Sequence, residues 1–492
     1  MNLSIIRRIL GYVLLLEAAL LLLPTFIGLI YGEPQFKAYL IVSAICAAVG
    51  GALGLKKPNN TVFYLKEGCV ATALSWIVLS LFGCLPFLIT REIPSFIDAL
   101  FETVSGFTTS GASIINDVEA LATCTLFWRS LTHWIGGMGV LVFIMAVVPL
   151  SGSNINLLRA ESPGPSVSKL VPKMRETARY LYFIYIAFTV SEALLLIIGK
   201  MPVVDAFMTA FATAGTGGFG IKNDSIGGYS YFIKAVVTMF MIMFGVNFNA
   251  YFLLVRRQFK KAFSIEEIKW YFVIILMAFG IILYDLKGMK VPTGQAVSDT
   301  AFQVASIISS TGFSTANFDL WHPLSKGILF GLMFIGACAG STGGGTKVAR
   351  ILVVFKNAFR ELDYYIHPKS VKKVKMDGKP VDEQIIKTTN TYMLTIIGII
   401  AVSFFILCAQ GNSIETNLSA VVSLINNIGP GFDRCGPANN YAFYKTLSKL
   451  VLIFDMLAGR LELYPMLMLF NAKMWKESVT QSNHRLKRRL HI

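Results

Sequence analysis

Four stretches of the chain share one grammar: a short amphipathic segment runs into a turn rich in glycine and hydroxyl residues, and each stretch lies between long apolar runs. They are DALFETVSGFTTSGA at 98–112, DAFMTAFATAGTGGFG at 205–220, DTAFQVASIISSTGFST at 299–315 and NLSAVVSLINNIGPGF at 417–432. In the first three an acidic residue precedes a glycine by thirteen positions: Asp98 to Gly111, Asp205 to Gly218 and Asp299 to Gly312. Leu418 takes that place before Gly431 in the fourth. Ordinary loops have no reason to repeat such an approach, so the chain is read as an internal repeat before any single turn is interpreted.

The flanking runs decide the solvent. Hydrophobic residues make up 54% of the 492, charged residues 15%, and mean hydropathy is +0.62, too apolar for a soluble domain. Many runs reach the roughly 20 residues that cross about 30 Å of hydrocarbon. The expected fold class is an all-α integral membrane protein. The net charge of +16 suggests nucleic acid only until its distribution is read, because 31 of the 44 Lys and Arg fall in segments on one side. That bias places both termini in the cytoplasm, and no discrete module supports a nucleic-acid partner. The seven cysteines show no CxxC spacing and give no disulfide framework. The first apolar segment is too long for a signal peptide and is read as a retained span.

Two spans, at about 10–30 and 38–54, precede the repeats. Each repeat then reads as span, half-crossing, span, for ten full spans and four re-entrant segments around a pseudo-four-fold axis. The expected divisions are 1–60 for the two N-terminal helices, 61–150, 151–262 and 263–360 for the first three repeats, and 361–492 for the fourth with its basic link and tail. The second spans are read as continuous over 124–149, 229–255 and 442–470. Glu17 inside the first span is expected to face protein, because an ionisable group is costly against lipid.

Irregular backbone at membrane depth must sit in protein or line a watery cavity. Glycine lets successive carbonyls point one way, Ser and Thr add oxygens, and a ring of such oxygens replaces the hydration shell of a monovalent cation. The turns hold no carboxylate for a divalent ion. Asp98, Glu102, Asp205 and Asp299, on the approaches, either attract cations or cap the short helices, capping being the better local reading. Asp433 follows the fourth turn toward the outer vestibule.

In the third repeat GACAGSTGGGTK, Gly336 to Lys347, should break its helix, so that Gly340, Ser341, Thr342, Gly343, Gly344 and Gly345 form a loop under the turns, read as a gate. It is not a phosphate-binding loop, since Lys347 follows Thr346 and precedes Val348. Asp455, Arg460 and Glu462 demand partners or water; Arg460 either bars the path to cations or forms a structural ion pair. Asn247 and Asn249 are either glue between helices or part of conduction. His133 is expected to be a satisfied interface residue.

Taken together, SGFTTSGA, HWIGGMG, STGFST, GSTGGGTK, NNIGPGF and AGRLE resemble the Trk/Ktr/HKT potassium transporter superfamily, and most closely its bacterial TrkH/TrkG uptake subunits. The resemblance implies four membrane–pore–membrane repeats and filter glycines at Gly111, Gly218, Gly312 and Gly431. It implies a K+ filter drawn from Thr109, Ser110 and Gly111; Thr216, Gly217 and Gly218; Ser310, Thr311 and Gly312; and Gly429, Pro430 and Gly431. Glycine at all four positions accompanies K+ preference in this family, with Rb+ accepted. The resemblance also implies an intramembrane gate with Arg460, a homodimer, a cytosolic nucleotide-binding ring of TrkA-like subunits, and a bacterial inner membrane. The basic 347–387 link, with its patch from Lys369 to Lys379, and the tail from Lys473 are either docking surfaces or segments that enforce topology and touch anionic lipid.

The expected function is K+ uptake through a gated central pore. The competing reading is an alternating-access symporter coupled to H+ or Na+, which broken helices also suit. Two inverted halves would favour that reading, and four parallel hairpins favour the pore. An enzyme would need a catalytic set, and the five histidines form none in sequence.

Overall fold

A computed structural model describes residues 1–56, 64–139, 174–369 and 371–472. Lys57, the 140–149 end of the first repeat's second span, most of the 150–179 link and the tail from Lys473 lie outside the described residues.

Two helices lead: α1 (Leu3–Tyr31) and α2 (Phe36–Gly54). They pack antiparallel through small residues. Gly11 abuts the Gly54 backbone, and Ser43 Oγ donates to the Ala18 carbonyl at 2.7 Å. Glycine-to-glycine approach substitutes packing for the hydrophobic drive that lipid cannot supply. The first repeat follows with α3 (Leu65–Gly83), α4 (Leu85–Thr90), the pore helix α5 (Phe96–Phe107) and α6 (Thr123–Met138). Glu33, in the α1–α2 turn, accepts the Thr123 and Cys124 amides at 2.6 and 2.9 Å and so caps α6.

The second repeat holds α7 (Met174–Ile198), the pore helix α8 (Val203–Gly215), α9 (Tyr231–Gly245) and α10 (Phe248–Val255), followed by the short α11 (Phe259–Ser264). The third holds α12 (Glu266–Gly288), the pore helix α13 (Thr293–Ile308), α14 (Pro323–Ile335) and α15 (Val348–Ile366). The fourth holds α16 (Glu383–Cys408), the pore helix α17 (Ile414–Ile425), α18 (Thr446–Arg460) and α19 (Tyr464–Leu469).

Between α15 and α16 a two-stranded antiparallel hairpin, β1 (Lys375–Met376) and β2 (Lys379–Pro380), turns at Asp377 and Gly378. Asp377 Oδ1 accepts the Glu266 amide at 2.7 Å, and Lys356 bonds both Glu266 and the Lys375 carbonyl. The basic link is therefore folded against the start of α12.

Among the described residues six helical segments are long and apolar enough to cross a membrane: α1, α2, and the first span of each repeat. The break expected in the third repeat's second span is present, and those of the second and fourth repeats, read as continuous, are interrupted as well. α9 and α10 bend by 91° at a break after Gly245. α6 ends at Gly139 and α14 at Gly336, both with positive φ, and α18 ends before Glu462 and Leu463, which also have positive φ. The physical reason is close approach. A Cβ on Gly136 would strike the Phe107 carbonyl, one on Gly459 the Ile425 carbonyl, and one on Gly245 the Tyr271 hydroxyl. At these glycines the helices press against the pore-helix ends, Gly245 also facing Ser309. Outward faces stay apolar and bare, as at Phe183, Leu276, Leu394 and Phe405, which suits hydrocarbon.

Glu17 is fully buried, as expected. Asp455 accepts from Ser403 Oγ at 2.8 Å, and Glu462 pairs with Arg350, whose guanidinium lies 4.1 Å over the Tyr392 ring.

Candidate functional site: a ring of four turns

Each pore helix ends in the same hydrogen-bonded motif. Thr109, Thr216, Ser310 and Asn427 adopt left-handed φ of 56°, 54°, 57° and 53°. The following amides, of Ser110, Gly217, Thr311 and Ile428, reach back six residues inclusive to the carbonyls of Ser105, Ala212, Ser306 and Ser423 at 2.8–2.9 Å. This closes the helix end as a Schellman motif does, but with a side chain where glycine is usual. Such a residue costs roughly 1–2 kcal/mol in this conformation, so four of them in equivalent places mark a demanding site.

The next residue completes the register. Gly111, Gly218, Gly312 and Gly429 have φ of 74°, 73°, 88° and 103°. A Cβ on Gly111 would meet the Gly217 carbonyl oxygen, one on Gly218 that of Thr311, one on Gly312 that of Ile428, and one on Gly429 that of Ser110. Each glycine thus cradles the carbonyl preceding the next repeat's glycine, and the order 1, 2, 3, 4, 1 closes a ring.

This corrects the fourth turn. The counterpart of Gly111 is Gly429, and the counterpart of Asp98 is Thr416, thirteen positions earlier. Gly431, expected to fill that place, lies outside the ring: its amide donates to the Cys435 carbonyl at 2.7 Å, and a Cβ there would face Ser419 and Cys435. Pro430 touches the ring from the third repeat's side, with its Cδ 3.0 Å from a Cβ placed on Gly312. The slip arose because 429 and 431 are both glycine and the fourth repeat has no acidic marker at 416 or 418.

The approach acids are not N-caps, contrary to the capping reading. Ser95, Pro202, Pro292 and Ser413 hold the cap positions. Asp98 pairs with Lys449 at 2.5 Å, and Asp299 accepts from Thr315 Oγ1 at 2.8 Å. Glu102 forms a buried pair with Arg129 at 2.8 Å and accepts the Ile114 amide at 3.0 Å. Arg129 also donates to the Gly220 carbonyl at 3.3 Å and lies 4.1 Å over the Phe219 ring. That pair ties the first two turns together from behind. His133 serves the same seam and is satisfied: Nδ1 lies 2.8 Å from the Gly106 carbonyl, and Nε2 accepts the Phe219 amide at 3.3 Å. Asn247 accepts the Asn249 amide at 2.9 Å to cap α10, and its side chain also bonds Glu267 on α12, which is the reading as glue between helices.

The four helix C-termini converge on the ring, so the negative ends of their dipoles face whatever it holds. Above it, Asn116, Asn223, Asn439 and Asn440 line an outer depression that reaches Gly111, Gly218, Gly312 and Gly429. Asp433, after the fourth turn, accepts from Ser413 and Thr416 hydroxyls at 2.7 and 2.6 Å, and these bonds hold its carboxyl below the usual range. Among the described residues no group of three or more His, Cys, Asp or Glu is arranged to hold a metal ion by side chains.

The loop between α14 and α15 lies directly against the ring. The Gly344 amide donates to Ser310 Oγ at 2.7 Å, and Thr346 Oγ1 bonds Asn426 Oδ1 at 3.2 Å. Cross-bonds from the Cys338 amide to the Gly245 carbonyl and from the Phe248 amide to the Gly340 carbonyl, both 3.0 Å, join the loop to the α9–α10 break. Arg460 Nη1 donates to the Thr342 carbonyl at 2.9 Å, and Nη2 to those of Gly136 and Gly137. Lys347 bonds the Gly343 and Gly344 carbonyls from within the loop. Glu267, buried, accepts the Ala339 and Ala349 amides. Two cationic side chains are thus packed with the loop under the ring. From sequence alone Lys347, Asn426 and Asn427 have no role of their own beyond membership of GSTGGGTK and NNIGPGF, and Glu267 is not singled out.

The model of the TrkH family, described as a cation transport protein, matches residues 35–482. The Trk system potassium uptake protein TrkH of Salmonella typhimurium is 32% identical over 97% of this chain and all of its own length. TrkG of Escherichia coli K12, of the same system, is 29% identical over 96% of this chain and 99% of its own. The crystal structure of the potassium transporter TrkH from Vibrio parahaemolyticus superposes with a TM-score of 0.87 at 29% identity, over 96% of this chain and all of that one.

Proposed function

The chain belongs to the TrkH family of cation transport proteins, and on that premise we propose that it takes up K+ across the bacterial plasma membrane through the ring of four turns. As a transporter of this family it is not an enzyme. The observation that carries the reading is the cyclic contact of each glycine with the next repeat's carbonyl. Carbonyl and hydroxyl oxygens of Thr109, Ser110 and Gly111, of Thr216, Gly217 and Gly218, of Ser310, Thr311 and Gly312, and of Asn427, Ile428 and Gly429 replace the hydration shell of K+, and Rb+ is accepted with it. The loop at 340–345, held by Arg460 and by Lys347, which follows it, forms the gate. Their positive charges oppose cation passage until the loop moves.

In this reading both termini are cytoplasmic, the chain works as a homodimer, and a cytosolic nucleotide-binding ring sets the loop's position. The repeat boundaries fall at 61–150, 151–262, 263–360 and 361–492. A cyclic order of four equivalent turns favours a pore over the paired halves of an alternating-access symporter.

The test is uptake into liposomes holding the purified chain alone, with K+, Rb+ or Na+ supplied under an imposed potential and without a pH gradient. Potential-driven K+ and Rb+ uptake exceeding that of Na+ supports the pore. Uptake that needs an H+ or Na+ gradient overturns it in favour of coupling.

A further inference from the structure

The fourth turn differs from the others at its left-handed residue. Thr109, Thr216 and Ser310 carry hydroxyls there, and Asn427 carries a carboxamide. Asparagine tolerates this backbone region better than most residues, and its length lets it reach where a hydroxyl cannot. Asn427 Nδ2 donates to Ser110 Oγ in the first turn and to the Met456 carbonyl on α18, both at 2.9 Å. The side chain is fully buried, and its Oδ1 has no hydrogen-bond partner among the described residues.

Ser110 is also the residue whose carbonyl Gly429 cradles. The seam where the first and fourth turns close the ring is therefore joined twice, once through backbone and once through Asn427. The other side of Asn427 lies against the loop: a Cβ on Gly344 would come within 2.7 Å of Asn427 Cβ and 3.0 Å of its Oδ1. With Gly344 in place, the carboxamide has little room to leave Ser110.

We propose that Asn427 is the positioning residue that transmits the loop's place to the ring, so that displacing the loop loosens the first–fourth seam and lowers cation discrimination while it opens the path. The proposal rests on reading the ring as the filter and the loop as the gate. In that frame the protein discriminates best when its gate loop is seated. Flux and selectivity are then linked quantities.

The experiment measures the K+/Na+ uptake ratio and total uptake in liposomes for the full chain, a form shortened within 340–345, Asn427→Gly, Ser110→Ala, and each substitution combined with the shortened loop. Glycine suits the left-handed backbone, and Ser110→Ala removes the same bond from the other end should Asn427→Gly fail to fold. Each single change lowers the ratio by about three- to tenfold, the worth of one buried hydrogen bond. Adding the shortened loop to either substitution raises uptake with no further fall in the ratio. Multiplicative falls in the double variants overturn the coupling and leave filter and gate intact. Gly111→Ser, run alongside, separates the premises: an unchanged ratio there, or unchanged uptake on loop shortening, removes the filter or gate reading and the coupling with it.

Discussion

Arg460 Nη1 donates to the Thr342 carbonyl at 2.9 Å, so the broken second span of the fourth repeat holds the loop of the third. The same guanidinium reaches the Gly136 and Gly137 carbonyls of the first repeat. One side chain therefore spans three repeats beneath the ring, using the planar fork that lysine lacks.

Arg460→Gln frees the loop and removes a charge from the path. Hydrogen bonds to a charged donor are worth about 1.5–3 kcal/mol each, so loop seating weakens by about tenfold or more, and K+ uptake at equal protein density rises. Arg460→Lys gives an intermediate rise. Flux into liposomes checks both, and unchanged uptake in Arg460→Gln removes the latch.

The register of the fourth turn makes a paired prediction. Gly429→Ala drives a Cβ into the Ser110 carbonyl at a φ of 103° and should abolish selective uptake. Gly431→Ala meets the Ser419 hydroxyl at 2.8 Å, a side chain able to rotate, and costs far less. K+ uptake by the two variants, normalised to monodisperse protein, decides between the registers.

The Glu102–Arg129 pair is buried behind the first two turns. Glu102→Leu leaves a guanidinium uncompensated, a loss of about 3–5 kcal/mol, whereas Glu102→Leu with Arg129→Met costs much less. Thermal unfolding in detergent gives the ranking. A double variant less stable than either single would contradict it.

Asp433 carries the pH prediction. Bonds from the Thr416 and Ser413 hydroxyls depress its carboxyl. Its stabilising contribution is therefore present above the unfolded value and lost only as pH falls through the lower folded value, beneath the ordinary aspartate range. Replacing both partners, Ser413→Ala with Thr416→Val, lowers thermal stability at neutral pH and flattens the acid limb, because Asp433 then binds its proton alike in the folded and unfolded states. An acid limb identical to the parent protein's would show that Asp433 does not contribute there.

The four turns were legible because their demands are chemical: positive φ, close backbone approach and oxygen ligands leave few residue types to choose from. The loop at 336–347 was legible for the same reason, its glycines interrupting an apolar run. The breaks in the other second spans were hidden, since Gly245 and Gly459 read as tolerated glycines in apolar helices and only the neighbouring Tyr271 and Ile425 show why no side chain fits. Asn427 was hidden as well: its partners Ser110 and Met456 are brought to it by the ring, not by spacing. The ion pairs of Glu102 with Arg129 and Asp98 with Lys449 join distant segments, and sequence offered their charges without their partners.

The most direct measurement is the K+/Na+ uptake ratio in liposomes for Gly111→Ser, Gly218→Ser, Gly312→Ser and Gly429→Ser beside Gly431→Ser. A ring built from equivalent glycines predicts a lower ratio for each of the first four and a ratio near the parent's for Gly431→Ser. A parental ratio in Gly429→Ser, with the fall appearing in Gly431→Ser instead, would contradict the ring.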